Sequence, residues 1–380
     1  MASLLEVVTF PLAAFEDDPV PTYYSYSDVR VLDWYLGPDR AVDQLLRRAV
    51  TGIHFTLLDL IRFEAESLTG VEQSSDARLD RGRVVSRLDA LHKAVTACHA
   101  LRVAVPGAAV DRSAGPRPFE TVQEYAQEPS RVSAMVQFTG LPQTSFHDEV
   151  LFLRAIHVAE FCFLGIRVSA NRASDALGSD RFPEAAGALG QAVAFATVLY
   201  QLFLCVRTMP PEHFLDFRKA TGRASAVQSL NFQLMEIALR GPNPQKREVF
   251  DQVDHLRDLR AHHAACAPLS MSLHRVDGSH PGHAEVRDAA RLLDRRLLNW
   301  RGLHLAFALT YLPPASAGTG ATEGAPYLER FHRAGLFVDT RVEPEDAAEM
   351  FPDRPDLQRM FCGGESHPVA MAPHRVEEPA

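Results

Sequence analysis

Apolar residues recur at intervals of three and four along several long stretches of this chain, which is the period of an amphipathic α-helix. The clearest stretch covers residues 40–69, where eight apolar residues would share one face: Val42, Leu45, Leu46, Val50, Ile53, Leu57, Leu58 and Ile61. Similar patterns predict helices over about residues 83–105, 145–175, 183–208, 225–240, 246–264 and 283–312. No segment of the sequence alternates with the two-residue period of a β-strand. The pattern therefore predicts an all-α fold, a bundle of long helices.

Stretches rich in proline and glycine separate the helical segments. Residues 1 to about 40 lack a helical period and contain a tyrosine cluster, Tyr23, Tyr24 and Tyr26. The stretch from Pro106 to Pro118 is the predicted domain boundary. We therefore expect a helical N-terminal region over residues 1–118, a helical domain over 119–345 and a partly disordered tail over 346–380. A faint similarity between the first helices of the two regions is compatible with a degenerate repeat or with chance.

Composition narrows the class of protein. The chain has 380 residues, 46% of them hydrophobic and 23% charged, which is typical of a soluble globular protein. A net charge of −9 argues against a nucleic-acid partner. The first residues lack a basic segment and we expect no apolar run to span a bilayer, so the sequence predicts a cytoplasmic protein without a membrane partner. Five scattered cysteines without a CxxC pair predict reduced thiols and no structural zinc.

The stretch from Trp300 to Leu328 combines two features of a ligand site. His304 lies among apolar residues near the end of a helix that Pro313 and Pro314 must stop. A loop of small residues, Ala315 to Gly324, follows and would allow close backbone approach to a ligand. A lone histidine on an apolar helix face is more often a hydrogen-bonded core residue than a ligand. Both interpretations of His304 stay open at this point.

Three further segments carry candidate chemistry. On the helix after His147, Phe152 and Ile156 share one face, whereas His157 lies about 140° from Phe152. Arg218 ends a short helix beside Phe214 and Phe217, where it would either clamp a carboxylate or stabilise the helix end. The residues His262, His263 and Cys266 could bind a metal, but they have no partner ligands at zinc spacing.

Taken together, these segments resemble the tryptophan 2,3-dioxygenase family. The order and most spacings of its motifs agree over about residues 145–340. The matching residues are His147-Asp148-Glu149, Leu151-Phe152, Glu160, Thr208-Met209, Pro211, Phe214, Phe217-Arg218, Gln228-Ser229, Glu236, Trp300-Arg301, His304, Gly318-Thr319-Gly320, Gly324 and Tyr327-Leu328.

The resemblance implies an all-α haem enzyme with the fold of that family. His304 matches the axial ligand of the haem iron, which overturns the structural interpretation of this histidine. The other roles carried over are haem contacts for Trp300, Arg301 and Ser225, and substrate contacts for Phe152, Ile156, Phe217, Arg218 and Thr319. A related subgroup attaches its haem through a cysteine four residues after the histidine. That position is Ala308 here, so we expect a non-covalent haem b.

The sequence departs from the family where the reacting ring would lie. The family's distal histidine falls on Ile156, and the histidine has moved to His157. A π-bulge would restore its position. His213 replaces a tyrosine and could supply an imidazole from another wall. We therefore expect His157 or His213 to be the catalytic residue, in a specialised relative of the family.

Three functions fit this resemblance. The first is O₂ insertion at the indole C2–C3 bond of L-tryptophan or a related aromatic amino acid, giving an N-formylkynurenine-type product. The second is monooxygenation or hydroxylation, with O₂ or H₂O₂, of a tryptophan-, indole- or tyrosine-derived intermediate of natural-product biosynthesis. The third is non-catalytic binding of haem or an aromatic ligand. Apart from the resemblance, the chain could also be a helical interaction protein without a cofactor.

The resemblance also implies a homo-oligomer. In the family, a neighbour's N-terminal segment closes each pocket. The long N-terminal region of this chain could do so within one chain or at a dimer interface.

Overall fold

The computed structural model describes residues 22–37, 41–70, 80–105, 130–243, 267–276, 280–313, 324–331 and 335–337, and a few isolated residues elsewhere. These ranges contain twelve α-helices, and no β-strand occurs within them. The all-α prediction is therefore confirmed. The predicted domain boundary at 106–118 and the predicted tail lie outside the described residues, so the division into domains stays a prediction.

Five helices precede the HDE motif: α1 Tyr23–Ser27, α2 Val29–Leu36, α3 Val42–Gly70, α4 Arg81–Ala104 and α5 Ser130–Thr139. The sequence predicts no helix before about residue 40, and this prediction was wrong for α1 and α2. Both helices are too short to show a clear period. Burial stabilises them instead, because Val31 and Leu32 of α2 are 1% and 2% exposed in the main core.

Seven helices follow: α6 His147–Leu177, α7 Phe182–Val206, α8 Pro211–Arg218, α9 Leu230–Arg240, α10 Leu269–Arg275, α11 His283–Tyr311 and α12 Ala325–Phe331. The helix predicted from residue 225 begins later, because the Ser229 side chain accepts a hydrogen bond from the Phe232 N–H and caps α9. The stretch between the helices predicted over 246–264 and 283–312 contains α10. Most of the helix predicted over 246–264 lies outside the described residues.

Helix α7 is the centre of the bundle and packs against α4, α6 and α11. It is long and apolar enough to cross a membrane by length and composition, so the expectation that no run of the chain reaches that length was wrong. In the structure, the surrounding helices bury most of this apolar stretch. At the α6–α7 crossing, Gly165 lies against the ring of Phe195, where an added Cβ would approach the ring to 2.4 Å.

A buried charge network, which we call the Arg87 network, joins the N-terminal helices to the HDE motif. The Arg87 guanidinium donates to Glu64 of α3 at 2.8 Å and forms an ion pair with Asp148 of α6 at 2.7 Å. His147 and His213 add hydrogen bonds to the same two carboxylates, at 3.1 Å and 2.6 Å. Helices α3, α4 and α6 thus share both this charge network and one apolar core.

Candidate functional site

Residues of helices α1, α6, α7, α8, α9, α11 and α12 line a cavity of about 280 Å³. This volume is near the lower end of the range for cofactor and small-molecule sites. Its wall is mainly aromatic and aliphatic, with polar groups gathered at two places. The cavity therefore suits a largely apolar ligand that carries a few polar substituents.

His304 of α11 lies on the cavity wall. Its ring stacks on Trp300, with centroids 6.2 Å apart, and meets the ring of Phe203 at 5.5 Å. Burial lowers the pKa of His304 to about 4, so the imidazole is neutral near pH 7. No hydrogen-bond partner for it occurs among the described residues. A neutral imidazole facing a cavity can donate a ring nitrogen to a metal.

The single imidazole on this wall fits a cofactor that contains a metal and supplies most of the ligands of that metal. Within the described residues, no group of three or more His, Cys, Asp or Glu side chains is placed to hold a metal ion. Haem iron needs one imidazole from the protein and takes most of its other ligands from the macrocycle, so the single imidazole of His304 is compatible with a haem. The Trp300 indole N–H is also buried without a hydrogen-bond partner in the part of the chain that the structure describes.

One polar region of the wall is built around Glu236. Arg301 donates to its carboxylate at 2.6 Å, and the Lys246 ammonium lies 3.9 Å from the other oxygen. Although burial opposes the charge, Arg301, Lys246 and Arg240 lower the pKa of Glu236 to about 2. Burial also lowers the pKa of Lys246 to about 8. This cluster places cationic groups on the wall beside Trp300.

The second polar region lies at the end of α8. Arg218, the last residue of this helix, lines the cavity together with Thr221 and Ser225. Phe152 and Phe214 form the neighbouring wall, with ring centroids 5.6 Å apart. Phe217 is fully buried behind Phe152 at 5.5 Å and supports its ring without lining the cavity. An arginine thus stands beside aromatic rings, as the sequence predicted.

The positions of His157 and His213 do not match the expected catalytic role. Helix α6 is a regular α-helix over its whole described length, without the π-bulge that would turn His157 towards the cavity. Ile156 occupies the wall, whereas His157 is fully buried and donates from Nε2 to the Ser27 carbonyl oxygen at 2.7 Å. Burial and the charge of Arg154 lower the pKa of His157 to about 3. His213 donates to Asp148 and does not line the cavity.

Sequence reasoning missed the contribution of α1. Tyr23 and Tyr26 are 5% and 1% exposed and line the cavity. The tyrosine cluster lies in a segment without a helical period, and nothing local in the sequence links it to α6.

The predicted loop residue Thr319 lies outside the described residues, as do His262, His263 and Cys266. Gly324, Tyr327 and Leu328, which follow the loop directly, line the cavity. The remaining predicted residues Trp300, Arg301 and Ser225 line it as well.

Comparison with known proteins adds an independent finding. The family model described as tryptophan 2,3-dioxygenase matches residues 120–273, which include α6, α8 and Arg218. This match and the relatives described next support membership of the tryptophan 2,3-dioxygenase superfamily. His304 and its neighbours on α11 lie beyond the matched residues.

Individual members of the superfamily are distant in sequence. A tryptophan 2,3-dioxygenase of Bacillus thuringiensis subsp. konkukian is 26% identical over 148 residues, which cover 39% of this chain and 51% of that protein. Proteins of the same name from Ruegeria pomeroyi and Erythrobacter litoralis are 26% and 25% identical, over 53% and 52% of this chain and 85% and 89% of their own lengths. The chain spans about half the length of the Bacillus relative.

Proposed function

We propose that the protein is a haem-dependent oxygenase acting on L-tryptophan or a related aromatic amino acid. One observation carries the proposal: His304 presents a neutral imidazole, without a hydrogen-bond partner among the described residues, on the wall of an aromatic cavity. Imidazole is a common axial donor to haem iron. The name shared by the relatives, tryptophan 2,3-dioxygenase, supports the same class of reaction.

The residues around His304 suit a non-covalent haem b. Phe163, Phe203 and Trp300 line the cavity and would make apolar contacts with a macrocycle. Arg301 and Lys246 lie on the same wall and would favour its acidic side chains. Ala308 leaves no thiol for a covalent link one turn after His304. When bound, haem supplies the activation of oxygen, and the protein supplies binding and orientation.

The opposite polar region suits the amino-acid substrate. Arg218 would pair with the carboxylate, and Ser225 lies close by on the wall. Phe152, Phe214 and Ile156 would hold the aromatic ring. Thr319 is proposed to close over the amino-acid end from the loop that leads to Gly324. The main contribution of these residues is to position the substrate, because correct alignment removes much of the barrier to a reaction between two bound molecules.

We propose insertion of both oxygen atoms at the indole C2–C3 bond as the reaction. The second candidate is a monooxygenase or hydroxylase of natural-product biosynthesis. It is supported by Ile156, which stands where the family has its distal histidine. Among the described wall residues, His304 is the only histidine, so no second imidazole is placed to exchange a proton with a bound substrate.

Product analysis tests the proposal. The haem-loaded protein is reduced under anaerobic conditions and then mixed with O₂ and L-tryptophan, L-tyrosine or indole. The masses of the products are measured by mass spectrometry. A product that gains two oxygen atoms from L-tryptophan supports dioxygenation, and a gain of one atom supports the second candidate. Haem binding without a product from any substrate would overturn the proposal in favour of a binding protein.

A further inference from the structure

Helix α12 contributes two side chains to the cavity although it is only seven residues long. Tyr327 and Leu328 line the cavity, and Leu328 also packs against the apolar cluster of Leu298 and Leu303 on α11. A helix of this length is too short to be stable on its own in water. Contacts with the rest of the fold must therefore fix its position on α11.

Shortly after α12 the chain is bound to α11 again, at a buried carboxylate. Asp294 of α11 is 0% exposed. Its Oδ1 accepts a hydrogen bond from the Leu336 N–H at 2.6 Å, and its Oδ2 accepts one from the Phe337 N–H at 3.0 Å. Hydrogen bonds to a carboxylate are charge-assisted and stronger than those between neutral groups. One side chain of α11 thus holds two successive backbone amides.

Gly335 allows the backbone to approach this carboxylate closely. A Cβ added at Gly335 would lie 3.0 Å from both oxygens of Asp294 and 3.1 Å from the Phe337 carbonyl oxygen. The two carboxylate oxygens are already held in hydrogen bonds, so they have little room to move away. Leu336 adds an apolar contact, because it is 5% exposed in the main core. We call Asp294 together with residues 335–337 the Asp294 clasp.

The Asp294 clasp restricts α12 because little chain lies between them. Residues 332–334 alone connect α12 to Gly335, and three residues of chain reach no further than roughly 11 Å. Asp294 and His304 are ten residues apart on α11, which is about 15 Å along the helix axis. Helix α12 is thus attached to the helix of His304 at two places, through Leu328 and through the clasp.

The Asp294 clasp also lies near the charged groups around Glu236. Burial lowers the pKa of Arg240, whereas the charges of Glu236 and Asp294 raise it. Arg240 is therefore within electrostatic reach of both carboxylates. Because Glu236 accepts a hydrogen bond from Arg301 on the cavity wall, a change of charge at Asp294 could also affect that wall. A test of the clasp must therefore separate the loss of hydrogen bonds from the loss of charge.

We propose that Asp294 is a positioning residue for the ligand cavity. It holds Leu336 and Phe337, and through them α12, so that Tyr327 and Leu328 keep their places on the wall. Asp294 does not line the cavity, so it acts on a bound ligand only through α12. Loss of the clasp should loosen α12 and let the ligand leave faster. The inference rests on the proposed function only in taking haem as that ligand.

Hydrogen–deuterium exchange of the full chain tests the clasp with or without haem. Asp294→Ala should raise exchange of the α12 amides and of the two bound amides at least roughly tenfold, because two charge-assisted hydrogen bonds are lost. Gly335→Ala keeps the carboxylate but forces the backbone away from it, so it should raise exchange of the same amides. The amides of α3 are the internal reference, since global unfolding would raise their exchange as well.

Asp288→Ala is the matched control, because it removes an exposed carboxylate of the same helix. Its exchange should equal that of wild type throughout. Wild-type exchange of α12 in Gly335→Ala and Asp294→Ala would overturn the proposal. If Asp294→Ala does not fold, Gly335→Ala alone decides in the same way.

Haem release tests the effect on the ligand. Transfer of haem from the loaded protein to excess apomyoglobin is followed through the Soret band. Asp294→Ala should release haem roughly tenfold faster than wild type, and Gly335→Ala, which keeps the charge, should also release it faster. Asp294→Asn keeps one acceptor oxygen without the charge and should lie between wild type and Asp294→Ala.

Two results would contradict this role of the Asp294 clasp. Faster release from the Asp294 variants with wild-type release from Gly335→Ala would show that the charge acts and not the clasp. Wild-type release from all of these variants, with raised exchange of α12, would show that α12 does not retain the ligand. Failure of the wild-type protein to bind haem would refute the proposed function, while the exchange results would still decide whether the clasp holds α12.

Discussion

Replacement of Arg87 tests whether the Arg87 network holds the N-terminal helices to the HDE motif. The Arg87 side chain is 2% exposed, and its partners Glu64 and Asp148 are 0% and 4% exposed. Arg87→Met keeps much of the side-chain volume but leaves two buried carboxylates without their shared cation. Removing one partner of a buried ion pair costs about 3–5 kcal/mol. His147 and His213 still donate hydrogen bonds to these carboxylates, so we expect the lower half of that range.

The assay is denaturant unfolding followed by far-ultraviolet circular dichroism. Arg172→Met is the matched control, because its ion pair with Asp43 is 41% and 61% exposed. Exposed pairs contribute about 0–1 kcal/mol, so the control should unfold almost like wild type. A triple variant, Arg87→Met with Glu64→Gln and Asp148→Asn, should recover part of the loss because no buried charge is left unpaired. A loss for Arg87→Met no greater than that for Arg172→Met would refute the reasoning.

Three further predictions follow from the packing, the titration and the polar end of the cavity. Gly165→Ala should destabilise the fold by about 1–3 kcal/mol through overpacking against Phe195. Gly190→Ala, with nothing within 4 Å of its new Cβ, should be neutral or stabilising in the same thermal unfolding assay; equal effects would contradict the close helix crossing. His157 has a pKa lowered to about 3 in the folded state, so the unfolded state binds more protons and stability falls as the pH drops from about 6.5 to about 3. His157→Gln keeps a donor for Ser27 but does not titrate, and its unfolding free energy should fall less steeply over that window; an unchanged slope would oppose this account. Arg218→Ala should weaken binding of L-tryptophan by roughly 10–100-fold, which corresponds to the free energy of one charge-assisted hydrogen bond. Binding of indole should be unchanged, because indole has no carboxylate. A parallel loss for both ligands would show that the carboxylate binds elsewhere.

The sequence predicted the long helices well because each has an apolar face that repeats over many turns. The bounds of α3, α4, α6, α7 and α11 agree with the sequence pattern within a few residues. Helices α1, α2 and α10 were missed because five to eight residues are too few to establish a period. Long-range packing decides their conformation, and a single sequence does not display it.

The side-chain directions on α6 were partly predictable. A regular helix turns about 100° per residue, so Ile156 and His157 cannot both face the cavity that Phe152 lines. The structure has this regular geometry, and the bulge suggested by the moved histidine is absent from α6. The contacts of Tyr23 and Tyr26 could not be predicted, because their partners lie 137 and 123 residues away in sequence.

The central claim is that His304 holds a haem. The direct test is the absorption spectrum of the purified protein after haem supplementation, compared between wild type and His304→Ala. His280→Ala serves as the control, since this exposed histidine stacks on Phe182 outside the cavity. We predict the Soret band of a histidine-ligated haem in wild type and His280→Ala, and its loss or marked weakening in His304→Ala, with recovery on addition of imidazole. Identical spectra for wild type and His304→Ala would contradict the account.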